Sequence, residues 1–272
     1  MDKIKLSNEV NIPVIGFGVF KAELGEQTEN AVKWAFESGY RHIDTAKIYG
    51  NEQSVGNAIL NSGLSRKDIF LTTKLWNDDI RAGNVREAFY ESLEKLQTDY
   101  VDLYLIHWPV NGYAEAWKVL EELYFEKKIK AIGVSNFHKN HLEDLDKVAT
   151  IKPMINQIES HPMFNNQELI DYCQSQKITV QAWSPLGGNG TNIISNECLN
   201  EIGKKYNKSA AQVIIRWHLQ RNVIPLPKSV NKERIKSNTE VFDFNLTYED
   251  MMKINELNQF KRVGPDPDCF KF

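Results

Sequence analysis

The sequence has few cysteines, no long apolar run and no excess of basic residues. Its three cysteines, Cys173, Cys198 and Cys269, form no CxxC pair and are odd in number. This argues against a disulfide framework or a structural zinc site and favours reduced thiols in the cytoplasm. No stretch approaches the roughly 18 uninterrupted apolar residues of a membrane-spanning helix. The net charge is -3 and the pI about 6.1, so no overall basic field is available to hold nucleic acid or an anionic membrane.

Low-complexity tracts and linkers rich in Pro, Gly or Ser are also lacking. The 272 residues include 15 glycines and 9 prolines, and 42% are apolar and 25% charged, which excludes a disordered or collagen-like chain. A chain of this length buries about three-quarters of its unfolded surface and needs no disulfide to build a core. The N-terminal residues contain no apolar segment of a secretory signal. We therefore predict a single cytoplasmic domain over residues 1–272.

Eight short apolar runs recur along the chain, with centres mostly about 25 to 30 residues apart, close to the length of one βα unit. Several are rich in β-branched or aromatic residues and are continuous rather than alternating, as expected of parallel strands buried on both faces. The runs are residues 13–19, 41–46, 69–75, 100–108, 130–136, 154–159, 179–186 and 223–229.

Segments with helical spacing lie between these runs. One example is Val85, Phe89, Leu93 and Leu96, which repeat at three- and four-residue intervals and form one apolar helix face. Alternating strands and helices are typical of an α/β protein with a parallel sheet. Eight such units close most simply into a (β/α)8 TIM barrel of about 250 residues. An open doubly wound sheet is the alternative, and it requires a switch point in strand order.

The two ends of the chain are predicted to lie outside the eight repeated units. Residues 3–16 read as a β-hairpin with the polar sequence SNEVN as its turn. A last helix follows Leu246, and Thr247 is placed to cap it, with Asp250 three residues further on. The final residues, 264–272, form a Pro-rich extended tail.

Polar residues end or interrupt the predicted strands, and their positions bear on function. In a closed barrel the carboxyl ends of all eight strands lie on one rim, where barrel enzymes keep their chemistry. A single polar strand end is more often structural than catalytic, but a full set on one rim predicts a site. The set consists of Asp44, Lys74, His107, Ser135, Asn136, Gln157, Trp183, Ser184, Lys228 and Ser229.

Four of the residues near this rim suit the reduction of a carbonyl group. A tyrosine hydroxyl has an ordinary pKa of about 10. If Tyr49 lies just past the second strand, the Lys74 ammonium lowers that pKa, and Asp44 keeps Lys74 charged. His107 would hydrogen-bond the substrate oxygen. Such an arrangement delivers a proton to an oxygen that is gaining charge, while the hydride has to come from a cofactor.

Seven ordered motifs around these residues resemble the aldo-keto reductase superfamily along nearly the whole chain. The motifs are GYRHIDTAKIYGNE (39–52), LTTKLW (71–76), YVDLYLIHWP (100–109), AIGVSNF (131–137), NQIESHP (156–162), QAWSPLGG (181–188) and IPLPKSVNKERIKSN (224–238). The resemblance implies a (β/α)8 barrel that binds NADP(H) without a Rossmann domain. It also implies a catalytic tetrad of Asp44, Tyr49, Lys74 and His107.

The same resemblance implies a set of cofactor contacts. Trp183 is expected to stack on the nicotinamide, a role in which many relatives have Tyr. Arg234 is expected to help clamp the adenosine 2′-phosphate, which argues for NADPH over NADH because a dianion needs cations. The expected carboxamide ligands are Ser135, Asn136 and Gln157. The expected pyrophosphate and adenosine contacts are Ser184, Leu186, Lys228, Ser229, Arg234 and Asn238, while Ser237 departs from the usual acidic or amide residue.

The predicted substrate pocket also departs from many relatives. Phe20 stands where these often have Trp, and Trp76 and Trp108 are the other expected walls. The segments after His107 and Gly187 are short, so we expect an open mouth and broad selectivity. The pattern is similar to bacterial and protozoan members, such as methylglyoxal and diketogluconate reductases and prostaglandin F synthase, which reduce small aldehydes, diketo-sugar acids or a prostaglandin.

We therefore predict a monomeric, NADPH-dependent reductase of small carbonyl compounds, an oxidoreductase of the class acting on CH–OH donors. Two other readings remain open. A non-catalytic barrel could bind NADPH as a regulatory subunit, and a phosphosugar enzyme could use Lys228 and Ser229 to hold a substrate phosphate. The histidines show no metal-ligand spacing, so no metal site is expected.

Overall fold

The computed structural model describes residues 2–188 and 191–272. The chain opens with an antiparallel hairpin of β1 (Lys3–Lys5) and β2 (Asn11–Pro13). The N–H of Leu6 donates to the carbonyl oxygen of Val10 at 2.9 Å and closes the polar turn. The predicted N-terminal hairpin is therefore confirmed.

Eight parallel strands follow, and each overlaps one of the eight apolar runs. Neighbours in the sheet are neighbours in sequence, from β3 at one edge to β10 at the other, so there is no switch point of a doubly wound sheet. The strands are β3 (Phe17–Gly18), β4 (His42–Asp44), β5 (Phe70–Leu75), β6 (Val101–Ile106), β7 (Ile129–Ser135), β8 (Ile155–Glu159), β9 (Thr179–Trp183) and β10 (Val223–Pro225).

Backbone hydrogen bonds join the first and last of these strands and close the barrel. The N–H of Gly16 donates to the oxygen of Pro225 at 3.1 Å, and the N–H of Gly18 donates to that of Pro227 at 3.1 Å. Gly16 has no room for a side chain, because a Cβ there would lie 2.5 Å from Nδ1 of His42. The predicted (β/α)8 barrel is confirmed.

Helices connect the strands and cover the outside of the barrel. The predicted cap of the last helix is present: the N–H of Asp250 donates to Oγ1 of Thr247 at 3.2 Å. The helices are α1 (Glu26–Glu37), α2 (Glu52–Leu60), α3 (Asn77–Ala82), α4 (Val85–Leu96), α5 (Tyr113–Phe125), α6 (Lys139–Asp146), α7 (Gln167–Ser175), α8 (Glu197–Tyr206), α9 (Ala210–Gln220), α10 (Lys232–Ser237) and α11 (Tyr248–Asn255).

The apolar core fixes the strands relative to one another. β5 and β6 are buried along their whole length, and the helices bury their apolar faces against the outside of the sheet. Trp117 on α5 is fully buried in the main core, and Trp217 on α9 is fully buried in a second cluster with α8 and α11. Burying such a side chain contributes about 1.5 to 3 kcal/mol. A core packed on every strand holds the eight carboxyl ends in fixed positions on one rim.

The C-terminal tail (residues 258–272) has no regular helix or strand and folds back over this rim. The backbone N–H groups of Val263 and Gly264 donate to the buried carboxylate of Glu159, at the end of β8. Further along, the ring of Phe270 packs on that of Trp108, with centroids 4.9 Å apart. Among the described residues no helix has the length and apolarity needed to cross a membrane.

Candidate active site

A buried lysine joins a carboxylate and a phenol at the rim. Lys74 lies near the end of β5, and its Nζ donates to Oδ1 of Asp44 at 2.6 Å and to the backbone oxygen of Thr45 at 2.9 Å. It also donates to the hydroxyl oxygen of Tyr49 at 3.3 Å. Tyr49 closes a 3₁₀ turn just past β4. The structure therefore brings together three residues that the sequence predicted to meet.

The electrostatics of this group correct one expectation. Burial raises the pKa of the Tyr49 hydroxyl, and Asp44 adds to the rise, while Lys74 acts in the opposite direction. Lys74 lowers this pKa, as predicted, but the net direction is upward because burial and Asp44 together outweigh it. Burial is the larger effect because the charged phenolate loses its hydration. Tyr49 consequently keeps its proton at neutral pH.

His107 stands directly after β6 and faces the same space. Its ring lies edge-on to the rings of Tyr49 and Trp76, with centroids 5.8 and 5.3 Å apart. Burial, reinforced by the charge on Lys74, places the pKa of His107 well below its ordinary value. The imidazole is therefore neutral and has one N–H to donate.

An amide network lies beneath the carboxylate. Nε2 of Gln157 donates to Oδ2 of Asp44 at 2.7 Å and to Oε1 of Gln181 at 2.9 Å. Both amide protons of Gln157 are thus used inside the barrel, which leaves Oε1 as the atom of that amide available to a ligand. Gln181 was not predicted as a site residue, although a glutamine in the middle of an apolar strand is an unusual signal.

The ends of β7 and β9 form a second polar group. The indole N–H of Trp183 donates to Oδ1 of Asn136 at 2.8 Å. Nδ2 of Asn136 donates to the backbone oxygen of His107 at 3.0 Å and to Oγ of Ser135 at 3.1 Å. Trp183 is partly exposed, so one part of its ring is available for stacking. These contacts tie the predicted nicotinamide ligands to the predicted catalytic histidine.

The remaining predicted cofactor residues continue along the rim after β9 and β10. Ser184 has a left-handed backbone with φ of 47°, and Leu186 is half-buried against the core. Oγ of Ser229 accepts the N–H of Asn231 at 3.1 Å, and Asn238 is buried at the end of α10.

The two cations predicted to bind the cofactor phosphates lack an ionic partner within the part of the chain that the structure describes. Lys228 and Arg234 are exposed, and no carboxylate of the described residues lies within ion-pair distance of either. Lys232, on the same short helix as Arg234, is by contrast paired with Glu37 at 3.2 Å. Surface cations on the rim that also carries the Trp183 ring and a set of amide groups fit a phosphorylated nicotinamide cofactor.

Aromatic rings form the mouth above Tyr49 and His107. Phe20 is half exposed and packs on Tyr49, with centroids 4.9 Å apart. Phe272 stacks on Trp76 with centroids 5.9 Å apart and planes 8° apart, and it meets Trp108 edge-on. Phe272 was not predicted to lie here, so the mouth is less open than the short loops suggested.

Comparison with known proteins agrees with this fold and identifies the family. The model of the Aldo/keto reductase family matches residues 14–259. A glyoxal reductase of Bacillus subtilis is 52% identical over 272 residues, which covers 100% of this chain and 98% of that protein. A 9,11-endoperoxide prostaglandin H2 reductase of Trypanosoma cruzi is 51% identical over 269 residues, covering 98% of this chain and 95% of that protein.

Solved structures extend the comparison to a bound cofactor. An aldo-keto reductase of Bombyx mori in complex with NADP superposes with a TM-score of 0.91 at 38% identity, covering 98% of this chain and 96% of that chain. The fold and these comparisons thus define a barrel protein of an oxidoreductase family. The chain belongs to the aldo/keto reductase family, and the resemblance seen in its motifs is confirmed.

Proposed function

We propose that this protein is an NADPH-dependent reductase of small aldehydes and ketones, an oxidoreductase acting on CH–OH donors, with Tyr49 as its general acid. The observation that carries the proposal is the buried Lys74 ammonium, which donates to both Asp44 and Tyr49. This arrangement holds a protonated phenol at the mouth of the barrel, beside a neutral imidazole.

Each member of the group has a separate task in this mechanism. Tyr49 gives its proton to the carbonyl oxygen as that oxygen gains charge. Lys74 then stabilises the phenolate that remains, and Asp44 keeps Lys74 charged although it is buried. His107 donates a hydrogen bond to the substrate oxygen and orients it. A positioned proton donor of this kind typically contributes a factor of about 10² to 10⁴.

The rim residues would hold the cofactor in this proposal. Trp183 would stack on the nicotinamide, with Ser135, Asn136 and Gln157 on its carboxamide. Ser184, Leu186, Lys228, Ser229, Arg234 and Asn238 would hold the phosphates and the adenosine. Reduced nicotinamide supplies the hydride when it is bound.

Three features support the substrate class. The mouth is lined by aromatic rings of Phe20, Trp76 and Trp108, which suit small apolar or dicarbonyl compounds. The Bacillus subtilis relative is named a glyoxal reductase and the trypanosomal relative a prostaglandin H2 reductase. We propose methylglyoxal-like dicarbonyls and diketo-sugar acids as substrates. We also propose that residues 1–272 act as one domain, since the hairpin and the tail both pack on the barrel, and that the protein is cytoplasmic.

The direct test is the Tyr49→Phe variant. We expect it to lose turnover of methylglyoxal by a factor of about 10² or more, followed by the absorbance of NADPH, while fluorescence titration still shows NADPH binding. Tyr248→Phe is the matched control, because Tyr248 is an exposed tyrosine on α11. Full activity of Tyr49→Phe would remove Tyr49 from the mechanism. Tight NADPH binding by the wild-type protein without consumption across a panel of aldehydes would indicate a regulatory barrel instead.

A further inference from the structure

Two histidines of α6 enclose a carboxylate of the C-terminal tail. His138 immediately precedes α6, and His141 lies in its first turn. Nδ1 of His138 lies 2.7 Å from Oδ2 of Asp268, and Nε2 of His141 lies 3.4 Å from Oδ1 of the same carboxylate. Both histidines are largely buried, whereas Asp268 is half exposed. We refer to these three residues as the clasp.

The outer nitrogen of each imidazole accepts a hydrogen bond, and this fixes where the ring protons are. Nε2 of His138 lies 3.0 Å from Nη2 of Arg262, and a guanidinium can only donate. Nδ1 of His141 accepts the backbone N–H of His138 at 3.1 Å. The proton of each neutral ring therefore sits on the nitrogen that faces Asp268. His138 therefore donates a hydrogen bond to the carboxylate, and the protonated Nε2 of His141 lies within ion-pair distance of it.

The same arrangement of donors and acceptors disfavours metal binding by the clasp, although its three potential ligand atoms lie within 4.8 Å of one another. A histidine that binds a metal donates its other ring N–H to an acceptor. Here the other nitrogens face the donors Arg262 and the N–H of His138, so a metal would break both contacts. The cluster is built to hold the tail and not to hold a cation.

Asp268 is followed by residues 269–272, and these residues reach the mouth of the barrel. Phe270 packs on Trp108, and Phe272 stacks on Trp76, whose ring contacts His107. The backbone oxygen of Phe272 accepts a hydrogen bond from Arg81 at 2.7 Å. Displacing Asp268 from the histidines would therefore loosen the segment that carries Phe272, leaving it to Arg81 and its aromatic contacts.

We propose that Asp268 is a positioning residue: the clasp with His138 and His141 holds Phe272 against Trp76 and so determines how tightly the pocket binds bulky aromatic aldehydes. The inference rests on the proposed function of the site, because it concerns the same mouth. It assigns the specificity to a contact made by α6 outside the pocket.

The first experiment measures the position of the tail without using catalysis. Trypsin cuts after Lys261 and Arg262, and mass spectrometry gives the rate at which the C-terminal peptide is lost. In Asp268→Asn the new amide N–H faces a ring N–H, so we expect cleavage to be about 3 to 10 times faster than in the wild type. Asp146→Asn is the matched control, because it removes an exposed carboxylate of α6 whose ion-pair partner among the described residues is Lys152.

Adding Zn²⁺ or EDTA to the wild-type protein completes this experiment. The clasp predicts the same cleavage rate with either reagent. Protection that requires Zn²⁺ would overturn the clasp and indicate a metal site. Equal cleavage rates for Asp268→Asn and the wild type would also overturn it.

The second experiment tests whether Asp268 acts through Phe272. We expect Asp268→Asn and Phe272→Ala each to raise the KM for 4-nitrobenzaldehyde by about 3- to 10-fold, with a much smaller effect on the KM for methylglyoxal. The double variant should resemble Phe272→Ala alone, because residues that act through one contact are not additive.

Additive effects in the double variant would overturn the positioning role, as would a loss of kcat that is equal for both aldehydes. If the wild-type protein reduces neither aldehyde, the proposed function fails, and the proteolysis experiment still decides whether the clasp holds the tail.

Discussion

The Nζ atom of Lys74 lies 2.6 Å from Oδ1 of Asp44, and both side chains are buried. The register of the barrel explains this pairing. Asp44 is level with Thr72 on the neighbouring strand, and Lys74 lies two residues further along, on the same face of that strand. Burial by itself lowers the pKa of Lys74, but the attraction of Asp44 and Tyr49 and their hydrogen bonds outweigh it, so the net direction is upward.

The Asp44→Asn variant should lose both activity and stability. Without the carboxylate, burial dominates and the pKa of Lys74 falls, so the phenolate loses its stabilising charge. We expect kcat to fall by about 10²-fold or more and the free energy of unfolding to fall by about 3 kcal/mol. Steady-state kinetics and urea denaturation measure the two effects.

Asp102→Asn is the matched control for that variant. Asp102 is also buried and pairs with Arg66 and Lys130, each at 2.8 Å, near the amino end of β6. The Asp102→Asn substitution should destabilise the protein but leave kcat near the wild-type value. A wild-type kcat in Asp44→Asn would show that the charge on Lys74 is not needed for proton transfer.

The Arg234→Ala variant should discriminate between the two nicotinamide cofactors. Arg234 is exposed without a carboxylate partner among the described residues, so its charge is available to a 2′-phosphate. We expect the Kd for NADPH to rise by about tenfold or more, with little change for NADH. Lys236→Ala is the control, since Lys236 is on the same helix but lines a cavity beside Glu37. Equal weakening of NADPH and NADH would refute the phosphate role.

The Gly264→Ala variant tests whether Trp183 is a cofactor platform. A Cβ at Gly264 would overlap the ring of Trp183 at Cη2, and Trp183 is held by Asn136. The added methyl group should push the ring out of place and raise the Kd for NADPH by about fivefold or more. Pro265→Ala changes the next tail residue without adding an atom at the ring and serves as the control. Unchanged NADPH affinity in Gly264→Ala would indicate that Trp183 does not contact the cofactor.

Stability should fall as the pH is lowered through the weakly acidic range. Burial, reinforced by Lys74, lowers the pKa of His42 to about 3, and burial also places the pKa values of His107 and His218 well below the ordinary value. The unfolded chain takes up these protons below about pH 6.5, whereas the folded chain does not. The stability is therefore fully present above about pH 6.5 and is lost progressively as the pH falls towards about 3.

The size of the effect follows from the slope of the free energy of unfolding against pH. Each buried neutral histidine contributes about 1.4 kcal/mol per pH unit once the pH is below its unfolded pKa. Urea denaturation between about pH 7 and pH 5 measures the total. In His42→Gln the slope of the free energy of unfolding against pH should decrease by about 1.4 kcal/mol per pH unit, the contribution of one proton. A free energy of unfolding that stays constant over this range would contradict the prediction.

Much of the fold was predictable because the relevant signals are local. The eight apolar runs marked the strands, and the polar residue at the end of each run, such as Lys74 or His107, was placed on the rim by strand polarity alone. Their roles in catalysis remain predictions. Gln181 was missed because a single amide in a strand does not indicate that it accepts a hydrogen bond from Gln157, which also donates to Asp44.

The tail was the part that sequence reasoning could not place. Phe272 and Trp76 are far apart in sequence, and Asp268 is 130 residues from His138. The tail is also Pro-rich and has no periodicity, so nothing in its pattern indicates which surface it covers. The open mouth expected from the short loops was therefore only partly right.

The order of strands and helices and the set of polar residues on the rim followed from the amino-acid sequence, because periodicity and strand direction are properties of neighbouring residues. The tertiary structure decided three other features: the raised pKa of Tyr49, the direction of the hydrogen bonds in the clasp, and the position of Phe272 over the mouth. Each depends on burial or on contacts between distant segments, and these exist only once the barrel has closed.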